Sequence, residues 1–370
     1  MELTIERGKF LDELQVLQGV VERKNTIPIL ANILLKAEDG GLDLTSTDLD
    51  LTLHTRVDAK VGSPGGVCVP ARKLFDLVRS LDEPGIRLKL LENHYLGVTA
   101  GSGRYKMVAQ PAEDFPTVPK VEGKASLSIP LSTWKTMTRK VLFAISAEEK
   151  RFQLSGALLK EKGHDLELVA TDGHRLALVQ FPKPPGKSGL PPILVPKKAL
   201  TEILKMDGDD ETKLEIQHAE NHLAFTVGGR KLIARLLDVN FPDYEKVLSK
   251  DNEKKITVSR TVLENAVRRI ALFSSERARG VRLAFEANAL TVSSASQELG
   301  EGTETVPVEY AGEPLTLGLN AQYLLDFLAE AETENVRLEA KDENTQCLCR
   351  PAEEIPGISK YMYVVMPMRI

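Results

Sequence analysis

The stretch RLLDVNFPDYEKVL, from Arg235 to Leu248, runs from basic and apolar residues into an acidic turn that contains Phe-Pro. Two other stretches have the same order: RYKMVAQPAEDFP ends at Pro116, and QCLCRPAEEIP ends at Pro356. The Val-Pro pair at 69–70 recurs at 195–196, and the Phe-Pro pair at 115–116 recurs at 241–242, so both pairs repeat after 126 residues. Because that spacing is far longer than the repeat of a solenoid protein, it indicates repetition of a whole domain.

The order of predicted elements is the same in each repeat of this 370-residue chain. Apolar residues at helical spacing predict a first helix, alternating apolar residues predict paired strands, and a second helix and further strands follow. The sequence therefore predicts an α+β fold with three repeated domains, each with two helices packed on an antiparallel sheet. The predicted domains are 1–120, 127–247 and 254–370, and the predicted helices are 9–24, 71–82, 131–146, 197–206, 259–273 and 320–332.

The composition is that of an ordinary globular protein, with 42% hydrophobic and 27% charged residues. The opening residues MELTIERGKF are polar and charged, unlike a signal peptide, and no apolar run is long enough to span a membrane. Only three cysteines are present, which argues against a disulfide framework. These features predict a cytoplasmic protein.

Basic residues are concentrated in the predicted helices, although the chain has a net charge of −5. Each of the first five helices carries three Lys or Arg, and most of these lie off the apolar face. One interpretation is that these are ordinary solvated helix faces. The other is that the helix side of the protein contacts a phosphate backbone. No base-reading motif is present and aromatic residues are only 5%, so the DNA contact would be with duplex and without sequence preference.

The segment VATDGHRLALV, from Val169 to Val179, is the one candidate for catalysis. Asp172 could orient His174 as a general base, which would make the protein a cytoplasmic hydrolase. The alternative is a Thr-Asp-Gly turn before a strand, which is the interpretation we prefer. Since no nucleophile–base pair, metal-ligand set or cofactor loop is found elsewhere, the sequence predicts a protein that is not an enzyme and needs no metal or cofactor.

Together, the three repeats, the segment ATDGHRLA at 170–177, FPDY at 241–244 and the terminal YVVMPMRI resemble the bacterial sliding clamp family, the β subunit of DNA polymerase III. The resemblance covers essentially the whole chain. It implies a head-to-tail homodimer that closes into a ring around duplex DNA, with each chain forming half of the ring. It also implies a processivity factor that tethers the replicative polymerase, the clamp loader and repair proteins through Gln-Leu-x-Leu-Phe-like peptides.

The resemblance and the charge pattern also predict three groups of site residues. The DNA-facing residues are Lys24, Arg72, Phe152 and Gln153 from the resemblance, with Lys135, Arg139, Lys198 and Arg268 from the helix faces. The resemblance places the partner-peptide pocket at Leu154, Thr171, Gly173, His174, Arg175, Leu176, Pro242, Val247, Tyr323, Val364, Val365, Met366, Pro367, Met368 and Arg369.

The third group is the dimer interface, in which a basic and apolar strand would meet an acidic region. Opposite charges around an apolar pair suit a heterologous contact that closes a ring. The alternative is a pair of ordinary exposed edges. The predicted interface residues are Arg104, Tyr105, Lys106, Met107, Leu272, Phe273, Glu298, Glu301 and Glu304.

Overall fold

The computed structural model describes residues 1–21, 27–121, 127–148, 150–185, 189–248, 251–275 and 279–370. Within these ranges lie six α-helices: α1 Arg7–Leu17, α2 Ala71–Ser80, α3 Leu131–Leu142, α4 Lys197–Leu204, α5 Arg260–Ile270 and α6 Ala321–Glu330. All six predicted helices are present, but each ends before its predicted last residue.

The early helix ends have a local cause that the apolar pattern does not show. After α1, the amide of Val20 donates to the carbonyl of Leu17, and after α3 the amide of Ala144 donates to Val141. Both Val20 and Ala144 are fully buried. Because the apolar pattern continues into these tighter i→i+3 turns, spacing alone extends the helices too far.

Strands make up most of the remaining ordered chain. In the first third they are β1 Glu2–Glu6, β2 Asn32–Glu38, β3 Gly41–Thr47, β4 Leu51–Ser63, β5 Gly65–Pro70, β6 Gly85–Leu91, β7 Tyr95–Ala100, β8 Gly103–Val108 and β9 Gln110–Pro111. In the middle third they are β10 Leu127–Pro130, β11 Gly156–Lys162, β12 Asp165–Thr171, β13 Arg175–Pro182, β14 Ile193–Pro196, β15 Lys213–Ala219, β16 His222–Val227 and β17 Arg230–Arg235. In the last third they are β18 Lys254–Ser259, β19 Gly280–Glu286, β20 Ala289–Ser296, β21 Gly300–Pro307, β22 Leu315–Asn320, β23 Asn335–Ala340, β24 Cys347–Pro351 and β25 Lys360–Val365.

The first of two compact units consists mainly of Met1–Trp134 and Lys198–Leu237. Its 13-stranded sheet has the order β10-β15-β16-β17-β4-β1-β6-β7-β8, with β3, β2, β5 and β9 joined through β4. Strand β4 connects these parts because it has 13 residues: its first half pairs with β3 and β17, and its second half pairs with β1. Trp134 and Phe225 pack in its core with ring centroids 5.6 Å apart.

The second unit comprises Lys135–Pro185, Leu190–Lys197 and Asp238–Ile370. It contains an eight-stranded sheet of order β14-β11-β12-β13-β25-β24-β23-β18 and a four-stranded sheet of order β21-β20-β19-β22. Strand β13 pairs antiparallel with β25, with Arg175 opposite Val365 and Leu176 opposite Val364. This pairing brings the two most distinctive sequence segments, ATDGHRLA and YVVMPMRI, side by side.

The α+β class and the antiparallel sheets are confirmed. Strand pairing also adds a feature that the sequence pattern does not show. The middle third divides between two sheets, since β17 pairs with β4 of the first third and β13 pairs with β25 of the last third. The predicted domain boundaries stay a prediction.

The connection that leads from the first third of the chain toward β10 is polar in composition, but its described part lies partly in the core. Val121 is buried with Ala224 and Ile233, and Val118 packs against this cluster. The Lys231 ammonium also donates to the Val121 carbonyl at 2.7 Å. The described part of this connection is therefore fixed to the sheet by apolar contacts that its polar composition conceals.

Candidate functional site

A tight turn joins β12 to β13, and it is built by the side chains of Thr171 and Asp172. The Asp172 Oδ1 atom accepts hydrogen bonds from the amides of His174, at 2.9 Å, and Arg175, at 3.0 Å. The Thr171 hydroxyl donates to the Arg175 carbonyl and accepts from the Gly173 amide. Gly173 has a φ of 92°, in the region that favours glycine, which explains a glycine at this position. The preferred interpretation of this segment, a turn before a strand, is confirmed.

The alternative prediction, a hydrolase using Asp172 and His174, is not supported. The Asp172 carboxylate accepts from two backbone amides through Oδ1 and from the Arg175 guanidinium through Oδ2 at 3.0 Å. It therefore holds the turn and the neighbouring arginine instead of orienting the imidazole. His174 lines an apolar cavity together with Met366 and Pro242, and the described residues of that lining include no Ser or Cys that could serve as a nucleophile.

The cavity has a volume of about 160 Å³ and lies beside the turn, the end of β25 and the Phe-Pro segment that follows β17. The Met366 amide donates to the His174 carbonyl at 2.9 Å, which fixes the end of β25 to the turn. Ten predicted pocket residues line it: Leu154, Thr171, Gly173, His174, Arg175, Leu176, Pro242, Val247, Val364 and Met366. Two further lining residues, Asp243 and Tyr244, were missed, although the FPDY segment contains both.

The other five predicted pocket residues do not line this cavity. Val365 is fully buried, because neighbouring residues of a strand point to opposite faces and Val364 takes the cavity side. Met368 and Arg369 line a separate cavity of about 610 Å³, and the Met368 amide donates to the Gly318 carbonyl. Pro367 lies between the two cavities in the sequence and lines neither of them. Tyr323 does not line the cavity itself, but its ring contacts Arg175, which does.

Arg175 is the most connected side chain of the site and is only 10% exposed. Its guanidinium donates to the carboxylates of Asp172 and Asp326 and to the Phe143 carbonyl. The guanidinium carbon also lies 4.2 Å from the ring centroid of Tyr323. A planar, permanently charged group with five donors suits such a set of partners, which lysine could not satisfy together.

The wall of the cavity formed by Tyr244 depends on a buried carboxylate. The Tyr244 hydroxyl donates to Glu167, which is fully buried, while the ring packs in an apolar cluster with Leu176, Met362 and Val364. Burial and the hydrogen bond to Glu167 raise the pKa of Tyr244. The phenol therefore stays neutral and keeps its hydrogen bond at physiological pH.

The predicted DNA-facing residues differ in exposure and in their contacts within the chain. Lys24 lies outside the described residues. Five others are exposed: Arg72, Arg139, Phe152, Gln153 and Arg268. Lys135 is half-buried on α3. The Lys198 ammonium donates to the Asp48 carboxylate and to the Val20 carbonyl, so this lysine is already held by its own chain.

Lys140 is a further exception to the expectation that helix cations lie off the apolar face. It is fully buried on α3, although its neighbour Arg139 is exposed. Its ammonium donates to the Glu330 carbonyl and to the Glu332 carboxylate at 2.7 Å, and lies 5.4 Å from the Tyr361 ring centroid. The charge of Lys140 therefore supports the core of the second unit and does not add to a basic surface.

The predicted dimer-interface residues lie on or near two sheet edges. In the described chain, β8 pairs only with β7 and β21 pairs only with β20, so each has one open side. On β8, Arg104, Tyr105 and Lys106 are exposed, but Met107 is buried and Val108, 63% exposed, is the apolar residue presented to solvent.

The acidic and apolar members of the predicted interface lie near β21. Leu272 is 73% exposed and Phe273 is half-buried in the turn after α5. Glu298 and Glu301 are exposed, whereas Glu304 accepts from Arg269 at 2.9 Å. Glu304 thus already has a partner in its own chain.

None of the helices in the described ranges has the length and hydropathy needed to cross a lipid bilayer. The same ranges contain no cluster of three or more His, Cys, Asp or Glu side chains arranged to hold a metal ion.

Three family models match the chain in succession. The models of the N-terminal, central and C-terminal domains of the DNA polymerase III beta subunit match residues 1–119, 128–243 and 245–369. A beta sliding clamp from Pseudomonas putida is 36% identical over 100% of both chains.

Solved structures show the same similarity. The DNA polymerase III subunit beta from Pseudomonas aeruginosa has 37% identity, a TM-score of 0.92 and full coverage of both chains. A sliding clamp from Bartonella birtlesii bound to griselimycin has 31% identity, a TM-score of 0.93 and full coverage of both chains.

Proposed function

The chain belongs to the bacterial beta sliding clamp family, the DNA polymerase III beta subunits, and from that membership we propose how its surfaces are used. It is a processivity factor for DNA replication: a homodimeric ring that encircles duplex DNA, slides on it and tethers the replicative polymerase. The clamp loader and repair proteins use the same tether. Its role is non-catalytic, consistent with the structural use of Asp172.

The apolar cavity beside His174 carries the proposal. Ten residues that the family resemblance assigns to the partner-peptide pocket come together around it from four separate parts of the sequence. Its lining of branched aliphatic residues, Pro242 and Met366 suits the Leu and Phe side chains of a short peptide. Met366 is 42% exposed, so a ligand can reach it. Several related peptides can share such a lining because methionine adapts its shape.

DNA contact in this proposal is non-specific and made by exposed basic residues of the helices, chiefly Arg72, Arg139 and Arg268. Phe152 and Gln153, which are also exposed, are further DNA contacts in this proposal. Since a closed ring is retained on DNA by topology, weak phosphate contacts are sufficient and permit sliding. We propose three clamp domains, 1–120, 127–247 and 254–370, so that each chain supplies half of the ring.

The dimer would form between β8 of one protomer and the β21 region of its partner. Arg104 and Lys106 are complementary in charge to Glu298 and Glu301, and the open sides of both strands can continue a sheet. Leu272 supplies an exposed apolar contact.

The three cysteines are buried free thiols, which supports a reducing, cytoplasmic setting.

Two measurements on the purified chain test the proposal. Light scattering should give twice the monomer mass of 40.8 kDa, and Leu272→Asp should shift the mass toward that of the monomer. A Gln-Leu-Ser-Leu-Phe peptide should bind, and the protein should remain a dimer when the peptide is bound. A monomeric wild-type chain would contradict the assignment of the dimer interface. A dimer that does not bind the peptide would contradict the assignment of the peptide cavity.

A further inference from the structure

A second and larger cavity, of about 880 Å³, lies on the eight-stranded sheet of the second unit. Its lining is charged, unlike that of the peptide cavity. Five basic residues face it: Lys162, Lys255, Arg337, Arg350 and Lys360. Three carboxylates also face it: Glu245, Glu253 and Glu339. The cavity therefore has a positive excess in a chain whose net charge is −5.

The basic residues of the cavity differ in whether a carboxylate of the chain is paired with them. Arg337 and Arg350 lie directly opposite each other on β23 and β24, an arrangement in which like charges repel. Of the two, Arg350 is paired with Glu339 at 3.1 Å. Within the described chain, Arg337, Lys255 and Lys360 have no ion pair with a carboxylate.

Two buried polar atoms at this cavity also lack hydrogen-bond partners in the described chain. One is the Arg350 Nε donor, and the other is the Asn252 Oδ1 acceptor. Asn252 is only 6% exposed, and its Nδ2 donates to the carbonyls of Glu339 and Gln346, which fixes the orientation of the amide. Buried polar atoms are nearly always satisfied in folded proteins, so these two unsatisfied atoms mark the floor of this cavity as unusual.

Burial and the neighbouring basic residues also lower the pKa of Lys360. Burial, and then repulsion from Arg350 and Lys162, lower the pKa of Lys360 below its ordinary value. By contrast, the hydrogen bond to Glu245 raises the pKa of Lys162. The two lysines share one cavity, but among the described residues only Lys162 forms an ion pair with a carboxylate, while Glu167 and Glu245 offset part of the repulsion at Lys360. An external anion near Lys360 would relieve this repulsion.

The charged cavity and the peptide cavity share a wall. The 3₁₀ helix Tyr244–Val247 supplies Tyr244 and Val247 to the peptide cavity and Glu245 to the charged one. Strand β25 runs beneath both, with Val364 in the first cavity and Lys360 in the second. Four residues of extended strand span about 13 Å. A peptide anchored in the apolar cavity therefore needs about four further residues to reach Lys360.

From this arrangement we propose that the charged cavity binds an acidic segment that flanks the anchor peptide of a partner protein. The inference rests on the proposed function, since the anchor is the peptide held beside His174. The carboxylates of the segment would pair with Lys255, Arg337 and Lys360. Partners with acidic flanks would be preferred over partners with the same anchor and neutral flanks.

The test compares labelled peptides by fluorescence anisotropy on the full-length protein. The anchor Gln-Leu-Ser-Leu-Phe is measured alone and with four Glu residues added at either end, and four Gln or four Lys residues serve as matched extensions. At about 50 mM salt, where surface charges are weakly screened, one Glu extension should tighten binding about five- to tenfold. The Gln extension should change nothing, the Lys extension should weaken binding, and the Glu gain should fall at about 300 mM salt.

Variants then show which residues produce the gain in affinity from the Glu extension. The double variant Arg337→Gln/Lys360→Gln should lose the Glu gain and bind the unextended anchor as the wild type does, which also shows that the variant is folded. Lys9→Gln, a neutralised exposed lysine on α1, should keep the gain.

The possible results distinguish a failure of this inference from a failure of the proposed function. If the unextended anchor does not bind, the proposed function fails and this inference fails with it. If the anchor binds but neither Glu extension adds affinity, this inference alone is overturned. Binding of inorganic pyrophosphate that the double variant abolishes, without a Glu gain, would assign the cavity to small anions and would also overturn it.

Discussion

The guanidinium carbon of Arg175 lies 4.2 Å from the ring centroid of Tyr323, so a residue of β13 is stacked on a residue of α6. The Tyr323 carbonyl in turn accepts from the Tyr363 hydroxyl of β25 at 2.9 Å. Arg175 also holds Asp172 and Asp326. One side chain thus ties the turn that lines the peptide cavity to α6, and Tyr323 supports the cavity without lining it.

Replacing Arg175 should therefore lower stability as well as peptide affinity. In Arg175→Ala, two partly buried carboxylates lose their cation, and we expect the free energy of unfolding in urea to fall by about 3–5 kcal/mol. Arg175→Lys should lose less, because the charge remains but the fork geometry does not. Equal stability of Arg175→Ala and the wild type would contradict the structural role.

The placement of two nearby methionines makes a matched pair of variants. Met366 lines the peptide cavity, whereas Met368 lines the separate cavity with Arg369. Met366→Lys places a charge in the apolar cavity and should weaken binding of the anchor peptide at least about 100-fold, because a charge is costly to desolvate there. Met368→Lys should leave the affinity within about threefold of the wild type. A loss in both variants would move the peptide site toward the chain terminus.

Basic residues of the helices should divide into DNA contacts and structural contacts. Arg139→Ala removes an exposed cation, so the slope of log affinity against log salt for duplex DNA should decrease in magnitude by about 0.9. Lys198→Ala should instead lower the free energy of unfolding by about 1–3 kcal/mol, because the buried Asp48 carboxylate loses its charged partner. The reverse pattern would refute this division.

Lys360 should reduce stability at neutral pH. Because burial and neighbouring cations depress its pKa, the folded state disfavours the charged lysine below that pKa. Lys360→Met keeps the apolar stem, and we expect a gain of less than about 1 kcal/mol in the free energy of unfolding at pH 7. The gain should shrink as the pH rises through the folded pKa toward the ordinary value of 10.5. A variant less stable than the wild type at pH 7 would show that Lys360 has an unrecognised favourable partner.

The sequence was sufficient for the repeat, the α+β class and the order of the helices, because apolar spacing is a local property. The helical spacing of Trp134, Met137 and Val141 puts them on one face of α3, and all three are fully buried. Helix ends were missed where a 3₁₀ turn continued the pattern, as at Ala271–Phe273 after α5.

Most of the missed features depend on pairing between distant residues. The burial of Lys140 depends on Glu332, which is 192 residues away, and the engagement of Lys198 depends on Asp48. The charged cavity depends on the register of Arg337 with Arg350. Val364 lines the peptide cavity and Val365 does not, because neighbouring residues of a strand point to opposite faces. The sequence would have shown this difference once one face of β25 was known.

The most direct test of the account is retention on DNA of defined topology. The protein is loaded onto a nicked circular duplex with a clamp loader and ATP, separated from free protein, and the DNA is then cut once by a restriction enzyme. The account predicts that the protein stays on the circle through gel filtration and leaves within the time of the digestion once free ends exist. Equal retention on circular and linear DNA would contradict a closed ring.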